Sequence, residues 1–561
     1  MDERIDAFDG RPSARGDGAA PSAAVPRLSP QEVKAAIRDG RELALLDVRD
    51  EGVFARAHLL FAAPAPLSRL ELVVDRLVPR RSARIILTDE GEDLVHRAAG
   101  KLAGWGYRDV SVLRGGIAAW RDAGYELFSG VHVPSKAFGE IVEHELGTPR
   151  LEAQDIKALR EQGTDLVVLD SRPIEEFRVM SIPGGLDCPG AELVHRVNEV
   201  VRSPETLVVV NCAGRTRSII GAQSLINAGV RNRVVALKDG TMGWHLAGLP
   251  LAHGETRVAP PPSAEALARS QTQAQAFATR AGVTTITHAD LARFRDEADR
   301  RSLFVLDVRS PEEYASGHLP GSRSAPGGQL VQSTDLYVGT LNARIVLVDR
   351  EGVRAPMTAS WLVQLGWPEV HVLDGLGTGE LEIGPEPLRV QPGRGTDPAW
   401  VDPHTLHDLL GRDAAVVIDV DNSLQFRKRH IPGAWFATRR RFSELLGRVP
   451  AEAAIVLASR DGVLATLAAE DLADSGREVR VLLGGTAAWI AAELPLEDGS
   501  EDRVIGIGED VWYKPYDWTT DQEAHMREYL SWEVGLVGQI ERDGDARFRI
   551  VHPDDDVGRA A

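Results

Sequence analysis

Four stretches of the chain carry an apolar run that ends in aspartate: LALLDVRDEGVF at 43–54, LVVLDSRPIEEF at 166–177, LFVLDVRSPEEY at 303–314 and AVVIDVDNSLQF at 415–426. The runs show no polar alternation, which suits strands buried on both faces of a parallel sheet. Amphipathic segments such as RAAGKLAGWG and GAQSLINAGV fall between such runs and predict helices. Strands alternating with helices give an α/β layered domain, whose ligands sit outside the carboxyl ends of the strands.

The pattern repeats. A His-Ile-Pro-Gly-like element follows each first run: HLLFA at 58–62, SIPGG at 181–185, HLPGS at 318–322 and HIPGA at 430–434. A second apolar run and a strand-like third piece close each unit, the latter as VSVLRGGIAAW, VVALKDGTMGW, VHVLDGLGTGE and VRVLLGGTAAW. Asp47 to Asp89, Asp170 to Cys212 and Asp307 to Asp349 each span 42 positions, and Asp419 to Ser459 spans 40. Recurrence of several landmarks at one spacing predicts four homologous domains. They are placed at 25–128, 145–254, 283–390 and 398–499. Residues 1–24 read as a disordered leader, 255–282 as a Pro-, Ala- and Gln-rich linker, and 500–561 as an aromatic-rich tail. Trp512, Tyr513, Tyr516, Trp518, Tyr529 and Trp532 of the tail read as anchors that dock it onto the domains, in preference to a ligand-stacking set.

Bulk composition narrows the function classes. A net charge of −19, from 64 basic and 83 acidic residues in 561, disfavours nucleic acid or an anionic membrane as partner. No apolar run approaches the length of a spanning helix, and the N-terminus lacks a signal-peptide core. Two cysteines without a secretion signal point to a reducing, cytoplasmic setting.

One of those cysteines closes a strand. Cys212 ends the run LVVVN and is followed by AGRTRS, two cations and no acid, before a predicted helix. The matching positions in the other units are Asp89, Asp349 and Ser459, in loops that carry acidic residues. Cationic neighbours and a helix N-terminus lower a thiol pKa, and successive N–H groups in such a loop make an anion cradle. Cys212 is therefore the candidate nucleophile, with Ala213, Gly214, Arg215, Thr216, Arg217 and Ser218 as its binding loop. Cys188, in GGLDCPGAEL, has no basic residue close in sequence and reads as structural, or alternatively as a thiol that resolves a sulfur adduct on Cys212.

The order Asp-x-Arg, Glu-Phe/Tyr, His-Ile-Pro-Gly, strand-Cys-loop-Arg-Ser and Gly-Gly-x-x-x-Trp resembles the rhodanese family of sulfurtransferases. It covers nearly the whole chain outside leader, linker and tail. The resemblance implies four tandem rhodanese-like domains of the α/β class, each with a central parallel sheet flanked by helices on both faces. Asp170 and Arg172 fall on the family's Asp-x-Arg, where a structural salt bridge is the favoured reading. Arg178 stands equally as a pocket residue or a solvated one. Trp244, matched by Trp120 and Trp489, reads as packing. Two-domain rhodaneses pair an inactive domain with an active second one, a pattern that domains one and two fit.

The activity so implied is sulfane-sulfur transfer through a Cys212 persulfide. A small anionic donor such as thiosulfate, or a persulfide, supplies the sulfur, and a thiol, cyanide or a protein cysteine accepts it. Neither metal nor organic cofactor is required. A sulfur carrier or scaffold that docks partner enzymes is the alternative. An arsenate reductase or phosphatase is less favoured, because Arg217 is the fifth residue after Cys212 and the phosphatase pattern needs the sixth, where Ser218 stands. Donor, acceptor and oligomeric state stay open.

Overall fold

A computed structural model of the chain describes residues 25–393 and 397–552; the expected leader lies outside them. Four parallel sheets form, and in each the five strands of a unit lie in the order 1-5-4-2-3. The first aspartate-ending runs are second strands, such as Leu166–Asp170, and the next apolar runs are the central fourth strands, such as Leu207–Asn211. Every residue of Leu207–Asn211 is buried, as expected for a strand covered by helices on both faces. The tail adds a sixth strand, Val504–Ile505, to the sheet of domain four. Among the described residues no helix is long and apolar enough to cross a membrane.

Domains two and three pack through equivalent surfaces. Gly190 meets Gly328 and Ala191 meets Gly327 with no room for a further side-chain carbon. Trp361 Nε1 of domain three donates to Ser224 Oγ of domain two at 2.8 Å. These positions correspond between the two repeats, so the contact is close to isologous. The helix Ala264–Ala281 occupies most of the segment read as a linker, and its Ala274, Phe277 and Ala281 join the shared core of the two domains. Domain one instead meets domain four, where Arg439 Nη1 lies 3.0 Å from Glu71 Oε2, and also domain three, where Leu43 and Leu341 form a β-bridge. Domains two and three thus form one pair, and domain one packs against both three and four. Domains one and two are linked by a long helix, Val133–Leu146, that packs on the helix Thr216–Asn227 of domain two.

The tail wraps all of this. Asp510 accepts from Ser423 of domain four, Lys34 of domain one lies 2.7 Å from Asp543, and Val551 N donates to Gln364 of domain three. Its helix, Gln522–Asp543, packs on Val133–Leu146 and reaches domain two.

A buried charge cluster seals the two–three contact. Arg354, fully buried, meets Glu192 across the interface at 3.0 Å, as well as Glu313 and Glu351 of its own domain. His195 sits between Glu192 (3.1 Å) and Glu351 (2.7 Å). Burial alone would lower its pKa, but the two carboxylates prevail and raise it to about 9. A histidine with a raised folded pKa contributes stability below its unfolded value of 6.5 and loses it as pH passes 9. Thermal melts across pH 6 to 10 are therefore expected to show His195→Gln as destabilised by up to about 3 kcal/mol at low pH. Above the folded pKa the gap between variant and native protein closes; an equal gap at both ends would remove the charge from this account.

Candidate active site at the end of the second domain's central strand

The strand Leu207–Asn211 delivers Cys212 to a loop that turns at once into the helix Thr216–Asn227. The loop rests on the start of the next helix: Thr241 N donates to Cys212 O at 2.8 Å and Met242 N to Ala213 O at 3.0 Å. Gly240, at φ +57°, makes this approach possible, because a Cβ there would fall 2.4 Å from Cys212 O. Asn211 Nδ2 donates to Asp170 Oδ2, and Asp170 holds Arg172 through two further bonds of 2.7–2.8 Å. That pair braces the strand ends. It recurs as Asp47–Arg49 and Asp307–Arg309 in domains with no cysteine, which marks it as structural. In domain four Asp421 replaces the arginine, and burial pushes Asp419 up to about 7.

In domains one and three several loop amides converge on one side chain. Asp89 accepts from the N–H groups of Glu92, Leu94 and Val95, and Asp349 from those of Glu351, Val353, Arg354 and Ala355. Ser459 Oγ accepts from Ala465 N. Domains one and three thus carry their own anion in the cradle. In domain two the position holds a thiol, with Sγ 3.5 Å from Ser218 Oγ, which in turn donates to Arg215 O. The N–H groups of Ala213, Gly214, Arg215, Thr216 and Arg217 meet no acceptor among the described residues. They remain donors for an anion lying against the sulfur.

The two loop arginines part company. Arg217 reaches Glu176 at 2.8 Å and Gln329 of domain three at 3.4 Å, and its positive charge acts on Cys212. Glu176, half-buried and facing that cation, is lowered to about 2. Arg215 is committed elsewhere, to Glu140, Glu143 and Asp239. It ties the loop to the helix Val133–Leu146, and its charge is answered by those carboxylates. Arg178 is exposed at the end of the helix Ile174–Val179 and lines no part of the site. Cys188 is fully buried in the core shared with domain three, and burial pushes its thiol well up.

Cys212 itself is 2% exposed. Burial pushes its thiol above the ordinary range, Arg217 and Ser218 pull it back, and Glu533 of the tail pushes it up. The expectation of a lowered pKa is overturned by that burial and by a carboxylate absent from the loop sequence. Glu533 Oε2 is buried without a hydrogen-bond partner, and a Cβ on Gly214 would lie 3.2 Å from it. Its other oxygen takes Tyr529 Oη at 2.7 Å, Thr216 Oγ1 at 3.2 Å and Lys136 Nζ at 3.2 Å. A cavity of about 430 Å³ opens over Ala213, Arg217 and Met242, walled by Lys136, Trp512, Tyr516 and Tyr529.

The family model described as rhodanese-like domain matches residues 29–123, 152–247, 287–375 and 402–492. A crystal structure of thiosulfate sulfurtransferase from Pseudomonas aeruginosa is 48% identical and covers 94% of this chain and 100% of its own, with a TM-score of 0.89. Among curated proteins, thiosulfate sulfurtransferase GlpE of Pseudoalteromonas translucida (strain TAC 125) is 26% identical over 88 residues, 16% of this chain and 82% of that protein. GlpE of Pseudomonas paraeruginosa (strain DSM 24068 / PA7) is 34% identical over 71 residues, 13% of this chain and 63% of its own length.

Glu533 and Arg217 act on the thiol in opposite directions. Alkylation of Cys212 by iodoacetamide, followed against pH, is expected to titrate at lower pH in Glu533→Gln and at higher pH in Arg217→Ala. Unmoved midpoints would contradict the assignment of both groups.

Proposed function

This chain belongs to the rhodanese-like family, and we propose that as a sulfurtransferase it moves sulfane sulfur through a persulfide on Cys212. The observation that carries this reading is the contrast between cradles: three repeats fill the converging N–H groups with Asp or Ser, and domain two presents a thiol there. The Cys212 thiolate, once its proton has passed to solvent, attacks the outer sulfur of a donor such as thiosulfate. The donor's S–S bond breaks with its electron pair, sulfite leaves, and the sulfur stays as Cys212–S–S⁻. A nucleophilic acceptor, cyanide or a thiol, then takes that outer sulfur and returns the thiolate. The loop N–H groups and Arg217 face the negative charge throughout, a preorganised arrangement of the kind that stabilises transition states. No step calls on a metal or an organic cofactor. Two free thiols suit a reducing compartment.

Thiosulfate treatment is expected to add the mass of one sulfur atom to the peptide holding Cys212, and cyanide to remove it. Cys212→Ser abolishes both. Arg217→Ala lowers kcat by about 100-fold, the scale of one lost charge-stabilising donor. Transfer that persists in Cys212→Ser would end this reading.

A further inference from the structure

Sulfur transfer requires contact between a donor and Cys212, yet Cys212 is 2% exposed and is not among the residues that wall the cavity over its loop. One face of the tail helix Gln522–Asp543 lies on that loop. Met526, Tyr529, Leu530 and Glu533, spaced i, i+3, i+4 and i+7, share the face. Met526 packs with Ala213 and Met242, and Tyr529 and Leu530 flank them. A Cβ added at Gly214 would fall 3.2 Å from both Tyr529 Cε1 and Glu533 Oε2.

The two halves of that helix are held differently. Its second half is anchored: Leu536 and Ile540 are buried with Phe128, Val133 and Ala137. Asp543 pairs with Lys34 at 2.7 Å, Arg542 with Glu126 at 2.6 Å, and Gln539 Nε2 donates to Leu127 O at 2.9 Å. The first half follows exposed Thr519 and Thr520 and starts at Asp521, a left-handed residue at φ +50° whose side chain gives no cap. Its tie to the loop is Glu533, whose Oε1 takes Tyr529, Thr216 and Lys136 while Oε2 is buried without a hydrogen-bond partner, at a cost in free energy. Between the halves stand Gly535 and Gly538. A Cβ would meet nothing within 4 Å at the first, and only Arg542 Nη1, at 3.8 Å, at the second. No packing demands glycine at either position, and two interior glycines weaken a helix.

We propose that residues 522–533 form a lid over Cys212 that bends away about Gly535 and Gly538 to admit the sulfur donor. The proposal rests on sulfur transfer at Cys212 and gives the tail a gating role in it. The closed lid also neutralises Lys136, because both hydrogen-bond partners of its ammonium among the described residues, Tyr529 Oη and Glu533 Oε1, are carried on the lid. Opening therefore bares the sulfur and leaves an uncompensated cation beside the loop, where an anionic donor arrives.

The rate at which iodoacetamide alkylates Cys212 in the full chain, followed by mass spectrometry at one fixed pH, reads the opening in variants that alter no charge. Gly535→Ala/Gly538→Ala stiffens the bend at exposed positions away from the sulfur, and the rate is expected to fall by about tenfold or more. Met526→Ala loosens the seat of the lid, and the rate is expected to rise by about the same factor. The kcat/KM for thiosulfate moves in the same two directions. A double glycine variant alkylated at the native rate overturns the proposal, and so does an unchanged rate in Met526→Ala. Alkylation needs no sulfur donor, so those results strike the lid alone. A native protein that fails to carry sulfur from thiosulfate to cyanide instead strikes the reading of Cys212 on which the lid rests.

Discussion

A strand that ends directly at a helix N-terminus aims several backbone N–H groups at one point, and something must answer their partial positive charge. That requirement organises every repeat of this chain. Asp89 and Asp349 answer it with a side chain of the loop itself, each carboxylate accepting from three or more N–H groups. Hydrogen bonds to a charged acceptor contribute about 1.5–3 kcal/mol apiece, so these aspartates stabilise their loops and close them to any external anion. Ser459 answers more weakly through a single bond. Cys212 leaves most of the demand unmet, and its loop is in that sense the least self-sufficient of the four.

Repeats without a nucleophile hold buried charge networks of their own. Domain three keeps Arg354 at the position of Arg217, and Glu313 at that of Glu176, but directs the guanidinium to Asp349, Glu192 and Glu351 as well. The same residue type that acts on a thiol in domain two has become a cross-domain tie in domain three. A fully buried arginine with one partner removed is strongly destabilising, so the ring of carboxylates serves stability independently of catalysis.

Much of the fold could be read along the chain because it rests on local signals. The aspartate-ending runs, the Asp-x-Arg pairs and the tryptophans lie within short windows. Each tryptophan indole donates to a carbonyl six residues on: Trp120 to Glu126, Trp244 to Pro250 and Trp489 to Pro495. In domain three the glycine beneath the loop is replaced by Leu376, and no helix follows the strand Val370–Leu373 before residue 393. The site was legible only in its loop. Arg215 looked like Arg217 in sequence, yet its carboxylate partners Glu140 and Glu143 lie on a helix more than 70 positions upstream. Glu533 approaches from 317 positions downstream of Thr216. No spacing rule anticipates a contact that depends on how four domains stack.

The tail's carboxylate and the loop's cation define opposing demands on one sulfur atom. A thiolate buried beside Glu533 is disfavoured, and burial and that carboxylate both push the Cys212 thiol up. Arg217 and the unsatisfied N–H groups favour the anion, but their charge is already partly answered by Glu176. Displacing Glu533 from Gly214 would remove the repulsion and widen the approach to the sulfur in one movement, because Met526, Tyr529 and Glu533 lie on the same helix. Burial of this degree also restricts the approach of water and stray thiols to Cys212. The closed tail therefore sets the conditions for selectivity as much as for low reactivity.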